Sequence, residues 1–324
     1  MSIEQFLQEF INSVSLRLND TEERDDIVDH REALKELLRE HIDIEDFILS
    51  GSYKRNTIIK PSKPGHKFDI DLFMIADSTS YKEENLADLY DETFKLLDDS
   101  IGEIGITHVE KQNRSVKVEF GSDFHIDVAP AVVHNSQYAV YDRDAQQPLV
   151  SNPEKHQELV TDKNAITADN STSRFVPLVR LLKAWKRNNF SDLKSFHLEL
   201  LAVNAVPDQP ITSFSQGAGW FFENVLTVLA DPLLDPANEE NVIDQYLDEK
   251  GLRQDLIDVL EKNISLVQLA VEAEQNNEEE AIALWKKILG PKSDDPSKQA
   301  SYRVGIPARP YGGKNPNQAA DSGR

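Results

Sequence analysis

Two carboxylates sit inside a segment that otherwise reads as a buried strand. Residues 68–76 are FDIDLFMIA, with Asp69 and Asp71 set in an apolar run. In extended chain, residues i and i+2 project from the same face. Asp69 and Asp71 therefore point one way, while Ile70, Leu72 and Met74 point the other way into a core. An Asp-x-Asp pair alone often marks an exposed strand end. Here apolar residues flank the acids, and burying unpaired charge is expensive. Two carboxylates this close repel, and each raises the other's pKa unless a cation neutralises them. Hard oxygen donors of this kind suit Mg²⁺ or Mn²⁺.

A third acid lies downstream. SVKVEF (115–120) alternates strictly, Gly121-Ser122-Asp123 makes a turn, and FHIDVAPAVV (124–133) returns. Asp127 is flanked by Ile126 and Val128. If this strand lies beside 68–76, three carboxylates converge. Two divalent ions about 4 Å apart can then activate a hydroxyl and stabilise a leaving phosphate oxygen. Pro130 is expected to end regular pairing or to mark a bulge. His125 shares a strand face with Asp127; a hydrogen-bonded structural histidine is the first reading for it and orienting the site the second.

Phosphate chemistry also needs cations. The chain of 324 residues has 57 acidic and 35 basic side chains, a formal charge of −22. Yet 51–68 holds Lys54, Arg55, Lys60, Lys63 and Lys67 and no acid. At the head of that stretch, Gly51-Ser52 follows the short apolar run 46–50 and precedes a candidate helical turn, 17 residues before Asp69. Glycine lets phosphate approach the backbone, and a serine hydroxyl with the following N–H groups can bind its oxygens. A second basic island, 174–194, carries Arg174, Arg180, Lys183, Lys186, Arg187 and Lys194 against Asp192. On a helix Arg180, Lys183 and Arg187 share a face opposite Phe175, Leu178, Val179, Leu182 and Trp185, a plausible triphosphate clamp. Ser195 precedes the next helix. Capping is its first reading and phosphate contact its second. His197 and the three tryptophans read as core, and Tyr138 and Tyr141 as candidates for stacking on a base.

The negative charge excludes a protein held broadly on DNA or RNA, which needs a wide basic surface. The absence of cysteine excludes disulfides, thiolate metal sites and cysteine nucleophiles. No apolar run approaches the roughly 20 residues of a membrane span. The first residues lack a basic region and a continuous apolar stretch, so no signal peptide is visible and a cytoplasmic protein is expected. Helical periodicity marks 2–18 and 22–41, with Ser2 and Gln5 as a capping box. It returns at 83–100 and dominates after about 150. Residues 291–324, rich in Pro, Gly, Asn and Ser, read as a flexible tail.

GSYKRNTIIKP, FDIDLFMIAD and HIDVAPAVV together resemble the polymerase-β-like nucleotidyltransferases. Within them they resemble the bacterial cGAS/DncV-like enzymes (CD-NTases) that make cyclic oligonucleotides in anti-phage CBASS defence. VSNPEKHQELV (150–160), LLKAWKR (181–187) and SFHLELL (195–201) resemble segments of the same family. The resemblance implies an α+β, bilobal protein with the active site in the cleft. Residues 1–44 would brace the lobes, 45–150 form the catalytic core, 151–290 the helical nucleotide-clamping domain and 291–324 the tail. Asp69 and Asp71 would hold two Mg²⁺ ions, with Mn²⁺ as a substitute, and Asp127 would share one and help deprotonate the acceptor hydroxyl. Gly51 and Ser52 would bind the donor triphosphate, and Lys183 and Ser195 would reach it from the helical lobe. The substrates would be NTPs: ATP, and GTP, UTP or CTP beside it. The product would be a cyclic di- or trinucleotide, with pyrophosphate released. A regulatory protein partner fits this chain better than DNA or RNA as a trigger. Other readings are nucleotidyl transfer to a protein or tRNA, linear oligonucleotide synthesis, and a non-catalytic nucleotide-binding scaffold.

Overall fold

The computed structural model describes residues 1–16, 21–63 and 65–290. The tail expected at 291–324 lies outside the described residues. The chain opens with two helices, α1 (Ile3–Val14) and α2 (Thr21–His41). Ser2 and Gln5 form the expected capping box on α1. β1 (Ile44–Ser50) runs directly into a single helical turn, α3 (Gly51–Lys54), and β2 (Phe68–Ala76) follows. After α4 (Leu86–Asp99) come β3 (Ile106–Lys111), β4 (Val116–Phe120), β5 (Phe124–His134), β6 (Gln137–Asp142) and β7 (Gln147–Ser151). The helical half contains α5 (Pro153–Ile166), α6 (Phe175–Asn189), α7 (Ser195–Ala205) and α8 (Phe214–Leu229). A small hairpin of β8 (Leu234–Asp235) and β9 (Asn238–Val242) interrupts it, unforeseen in the helical pattern. It ends with α9 (Gln245–Glu249), α10 (Arg253–Glu274) and α11 (Glu278–Leu289).

Seven strands make one mixed sheet. The order is β1-β2-β5-β4-β3, with β6 pairing the far half of β5 and β7 pairing β6. β2 and β5 are parallel, and the other ladders are antiparallel. The parallel register sets Asp69 opposite His125 and Asp71 opposite Asp127. Ile70, Leu72 and Met74 are fully buried on the other face, as alternation requires. The expectation for Pro130 is corrected: β5 continues through it, opposite Met74. On its other side β5 pairs β4 up to Val128 and β6 from Ala131. The proline thus falls where the ladder on that side changes partner from β4 to β6.

The apolar side chains form two large cores. One joins α2, α4 and the sheet; the other joins α6, α7, α8, α10 and α11. The two N-terminal helices divide between them. Ile3, Phe6, Leu7, Phe10, Ile11 and Val14 of α1 enter the helical core, whereas Ile27, Leu34, Leu37 and Leu38 of α2 enter the sheet core. Each such buried side chain contributes about 1.5–3 kcal/mol relative to exposure. The polar face of β2 and β5 is left at the junction of the two cores.

Candidate active site

β1 ends at Ser50, which pairs with Asp71, and the chain then turns at Gly51 with φ +69°. A Cβ built on Gly51 would stand 1.6 Å from Asp71 Oδ2, so only glycine fits this turn. α3 is one turn long, so what it offers a phosphate is loop backbone and the Ser52 hydroxyl.

The three aspartates share the face that alternation assigns them. Asp69 is the most open, with 62% of its side chain exposed, whereas Asp127 is largely buried. His125 Nε2 lies 2.9 Å from Asp69 Oδ1 and 3.7 Å from Asp127 Oδ1, so the imidazole stands between two of the acids. His125 is hydrogen-bonded, as expected, and its partner is Asp69. Asp127 Oδ1 is buried without a hydrogen-bond partner. Burial, reinforced by Asp69, raises the Asp71 carboxyl above the ordinary range, with Arg55 and His125 opposing. Burial lifts Asp127 to about 7 although His125 opposes it, and the charges of Asp71 and Asp69 add to the rise. For His125, burial disfavours the charged imidazolium, but the Asp69 hydrogen bond and the Asp127 and Asp69 charges together outweigh it and raise the pKa. Among the described residues no three His, Asp or Glu side chains are grouped closely enough to hold a metal ion as they stand. The donor set nevertheless fits a hard divalent cation: all-carboxylate, mutually repelling, with one orphaned buried oxygen.

The aspartates line a cleft made of two adjoining cavities of about 280 and 360 Å³. Ser52, Asp69 and Ser195 line both. The smaller is basic, with Lys67, Lys183, Lys186 and Arg187 in its wall. The larger holds Asp71, Asp127, Arg114, His156 and Phe196. Ser195 is the first residue of α7. The N-cap is Lys194 and no side chain caps the helix, so the capping expectation for Ser195 is corrected. Its Oγ accepts instead from Lys186 Nζ at 3.5 Å.

Lys183 is not the open clamp that the basic island suggested. It is 3% exposed, and its amine lies 2.5 Å from Glu199 Oε1 and donates to Thr57 Oγ1 at 3.2 Å. Arg55 Nε donates to Glu199 Oε2 at 2.8 Å, and Thr57 Oγ1 donates to Glu199 Oε1 at 2.9 Å. Burial would raise Glu199, but Lys183 and Arg55 outweigh it and hold its carboxyl at about 2. Burial pulls Lys183 below the usual lysine range, although Glu199 opposes. Arg180 and Arg187 of α6 donate to the carbonyls of Asn56 and Lys60 at 2.7 and 2.6 Å. These contacts tie α6 and α7 to the segment that follows Gly51-Ser52. Lys186 is the remaining α6 cation of the cleft. Burial, with Lys183 and Arg187 nearby, lowers it to about 8.

Sequence reasoning missed Glu199 and the His156–Asp235 pair, bonded at 2.7 Å. Glu199 had a signal: it is a lone acid inside the apolar run SFHLELLAVNAV, the same anomaly that exposed Asp69 and Asp71. The pairing of His156 with Asp235 spans 79 residues and had none. Tyr138 and Tyr141 line neither cavity. Tyr138 packs edge-on against Phe73, and Tyr141 lies against Tyr90. His197 is buried against the Tyr246 hydroxyl, and Trp185 and Trp285 are core, as expected.

Known proteins are similar to this chain in sequence and in fold. A cyclic AMP-AMP-AMP synthase from Acinetobacter sp. (strain ATCC 27244 / 9458) is 27% identical over 261 residues, 75% of this chain and 71% of that protein. The structure of Escherichia coli MS115-1 CdnC with ATP superposes with a TM-score of 0.66 at 18% identity, covering 90% of this chain and 99% of that one. The same protein is also known in a CdnC:HORMA-deltaN complex, covering 89% of this chain and 97% of that one at 18% identity, TM-score 0.63. Vibrio cholerae DncV cyclic AMP-GMP synthase, in complex with the linear intermediate 5′ pppA(3′,5′)pG, has a TM-score of 0.60 at 15% identity, covering 90% of this chain and 87% of that one. These likenesses bear out the expected fold. The family model for the Second Messenger Oligonucleotide or Dinucleotide Synthetase (SMODS) domain matches residues 1–164, half of the chain. With the glycine turn and the paired acidic strands in place, the chain belongs to this family of nucleotidyltransferases.

Proposed function

We propose that the chain joins NTPs into a cyclic di- or trinucleotide in anti-phage signalling, with Asp69, Asp71 and Asp127 as its divalent-metal ligands. The observation that carries this reading is the parallel β2–β5 register, which sets Asp71 beside Asp127 beneath the Gly51 turn. Mg²⁺ ions, or Mn²⁺ in their place, would neutralise the acids and the phosphate oxygens and make the attacking hydroxyl more acidic.

The chain's own residues do the rest. The Ser52 and Ser195 hydroxyls and Lys186 hold the donor triphosphate, and Gly51 lets it come close to the backbone. Lys183 and Arg187 add positive charge from the wall while remaining bonded to Glu199 and the Lys60 carbonyl. A ribose hydroxyl of the acceptor attacks the α-phosphorus, pyrophosphate leaves, and Asp127 is placed to receive the hydroxyl proton. Repetition of the exchange within the linear product closes the ring.

The division into a brace, a catalytic core and a helical clamp is part of the same proposal. It is supported by two apolar cores that meet at the cleft. A regulatory protein partner is preferred to a nucleic acid, because the chain is strongly acidic. The test is incubation with all four NTPs and Mg²⁺ or Mn²⁺, phosphatase treatment and mass spectrometry. A cyclic product survives phosphatase, and a linear one loses its terminal phosphates. A product attached to protein or tRNA, or no product, would overturn the reading.

A further inference from the structure

Carboxylates that are to meet a metal at fixed angles each need a restraint. Asp71 has one in the Gly51 turn, whose missing Cβ leaves the space its carboxylate fills. Asp127 has one in its own burial. Asp69 has neither: 62% of its side chain is exposed, and it lines both cavities of the cleft. Among the described residues its carboxylate has one polar partner, His125, whose Nε2 lies 2.9 Å from Oδ1. The register puts the imidazole there. β2 and β5 set Asp69 opposite His125 and Asp71 opposite Asp127, so three acids and one imidazole occupy the four corners of one sheet face. On the other side of β5, β4 sets Glu119 opposite His125 and Lys117 opposite Asp127. Glu119 takes Lys117 and Lys67 at 3.3 and 3.1 Å, and neither lysine bonds Asp69. The imidazole is 3.7 Å from Asp127 Oδ1, too far for a hydrogen bond, so its contact is with Asp69. The ring is buried, and its Nδ1 has no partner, so Nε2 alone makes that contact.

We propose that His125 is a positioning residue for the metal site: its Nε2–H holds Asp69 Oδ1 and leaves Oδ2 for the divalent cation. This rests on the metal assignment proposed above. An exposed carboxylate loses rotamer freedom when an ion binds it, and a partner that fixes it beforehand removes that loss. The imidazole is suited to the task because packing fixes the ring before any ion arrives. Hydrogen-bond partners of metal ligands act in this way, and their loss lowers metal affinity about 10- to 100-fold. The restraint is then shared out by residue: a glycine turn for Asp71, burial for Asp127 and a histidine for Asp69.

The experiment titrates Mn²⁺ into the whole protein without nucleotide, at one pH, and reads free Mn²⁺ from its EPR signal. His125→Leu should raise the Mn²⁺ dissociation constant about tenfold. His125→Gln puts an amide N–H near the place of Nε2 and should stay within about threefold of the wild type. His125→Asn puts its amide near the place of Nδ1, which bonds nothing, and should match His125→Leu. In rate measurements the half-saturating Mn²⁺ concentration should shift in the same order, while KM for the NTP at saturating Mn²⁺ stays level. A histidine that only packs would lower the melting temperature and leave Mn²⁺ affinity alone. Should His125→Leu unfold, the glutamine and asparagine variants still decide. Unchanged Mn²⁺ affinity in His125→Leu, or equal affinity in the Gln and Asn variants, would overturn the positioning role and leave the metal assignment standing. A wild-type protein that takes up no Mn²⁺ would overturn both.

Discussion

At Gly51 a single hydrogen atom decides whether the site can form. The turn needs φ +69°, and a methyl group there would lie on the Asp71 carboxylate. Gly51→Ala should lower stability by about 1–3 kcal/mol and reduce product formation at least a hundredfold. Gly121→Ala, where a Cβ meets nothing within 4 Å, should leave both nearly unchanged. Thermal melts and initial rates of both variants check this. Lys186 gives a pH signature. Burial and the Lys183 and Arg187 charges lower its pKa from 10.5 to about 8, so the charged form that attracts phosphate predominates below that value and is lost above it. KM for the donor NTP should therefore rise as pH increases through about 8, and Lys186→Arg should flatten the rise. A KM–pH profile without that limb in the wild type would remove Lys186 from the triphosphate site. The aspartates were legible in the sequence because charge inside an apolar strand is costly. Lys183 was legible as a basic residue on a helix, but its burial against Glu199 depends on α7, which no local pattern on α6 reveals.

Among the elements, one tie between the two halves is the Glu199 hub on α7. It joins Lys183 of α6 to Arg55 and Thr57, just beyond α3. Glu199→Gln leaves two buried cations without their counter-charge, and breaking such a pair costs about 3–5 kcal/mol. Urea denaturation should show that loss at pH 7. The carboxyl is held at about 2, below its ordinary 4.5, so its stabilisation is complete above the unfolded value and fades as pH falls toward 2. The difference between wild type and Glu199→Gln should shrink over that acid range, and a constant difference would contradict the pairing. The main strands and helices were readable from periodicity: the β4–β5 hairpin, the acid-bearing β2, and α6, α7, α10 and α11. The neighbour of β2 was not. Parallel pairing with β5 is a long-range choice, and it turns three separate acids into one cluster. Pro130 misled for a related reason, since its cost depends on which partner strand ends there.

At the scale of the whole molecule, net charge and the cleft make different demands. A charge of −22 disfavours polyanionic partners, while the cleft concentrates cations from both halves. Double-stranded DNA added at physiological salt should therefore neither be retained on a filter with the protein nor change its rate. Saturable retention would reveal a basic surface beyond the cleft. Residues 1–164 matched by the family model include α1, whose apolar face belongs to the helical core. The helical half therefore depends on the first turns of the chain, and the sheet half on α2.

The most direct test is a crystal grown with Mn²⁺ and a non-hydrolysable NTP, examined for anomalous scattering. Manganese peaks ligated by Asp69, Asp71 and Asp127, with the triphosphate against Ser52, are the expected result, and Asp71→Asn should lose them. A nucleotide bound in the cleft with no metal at the aspartates would contradict the assignment.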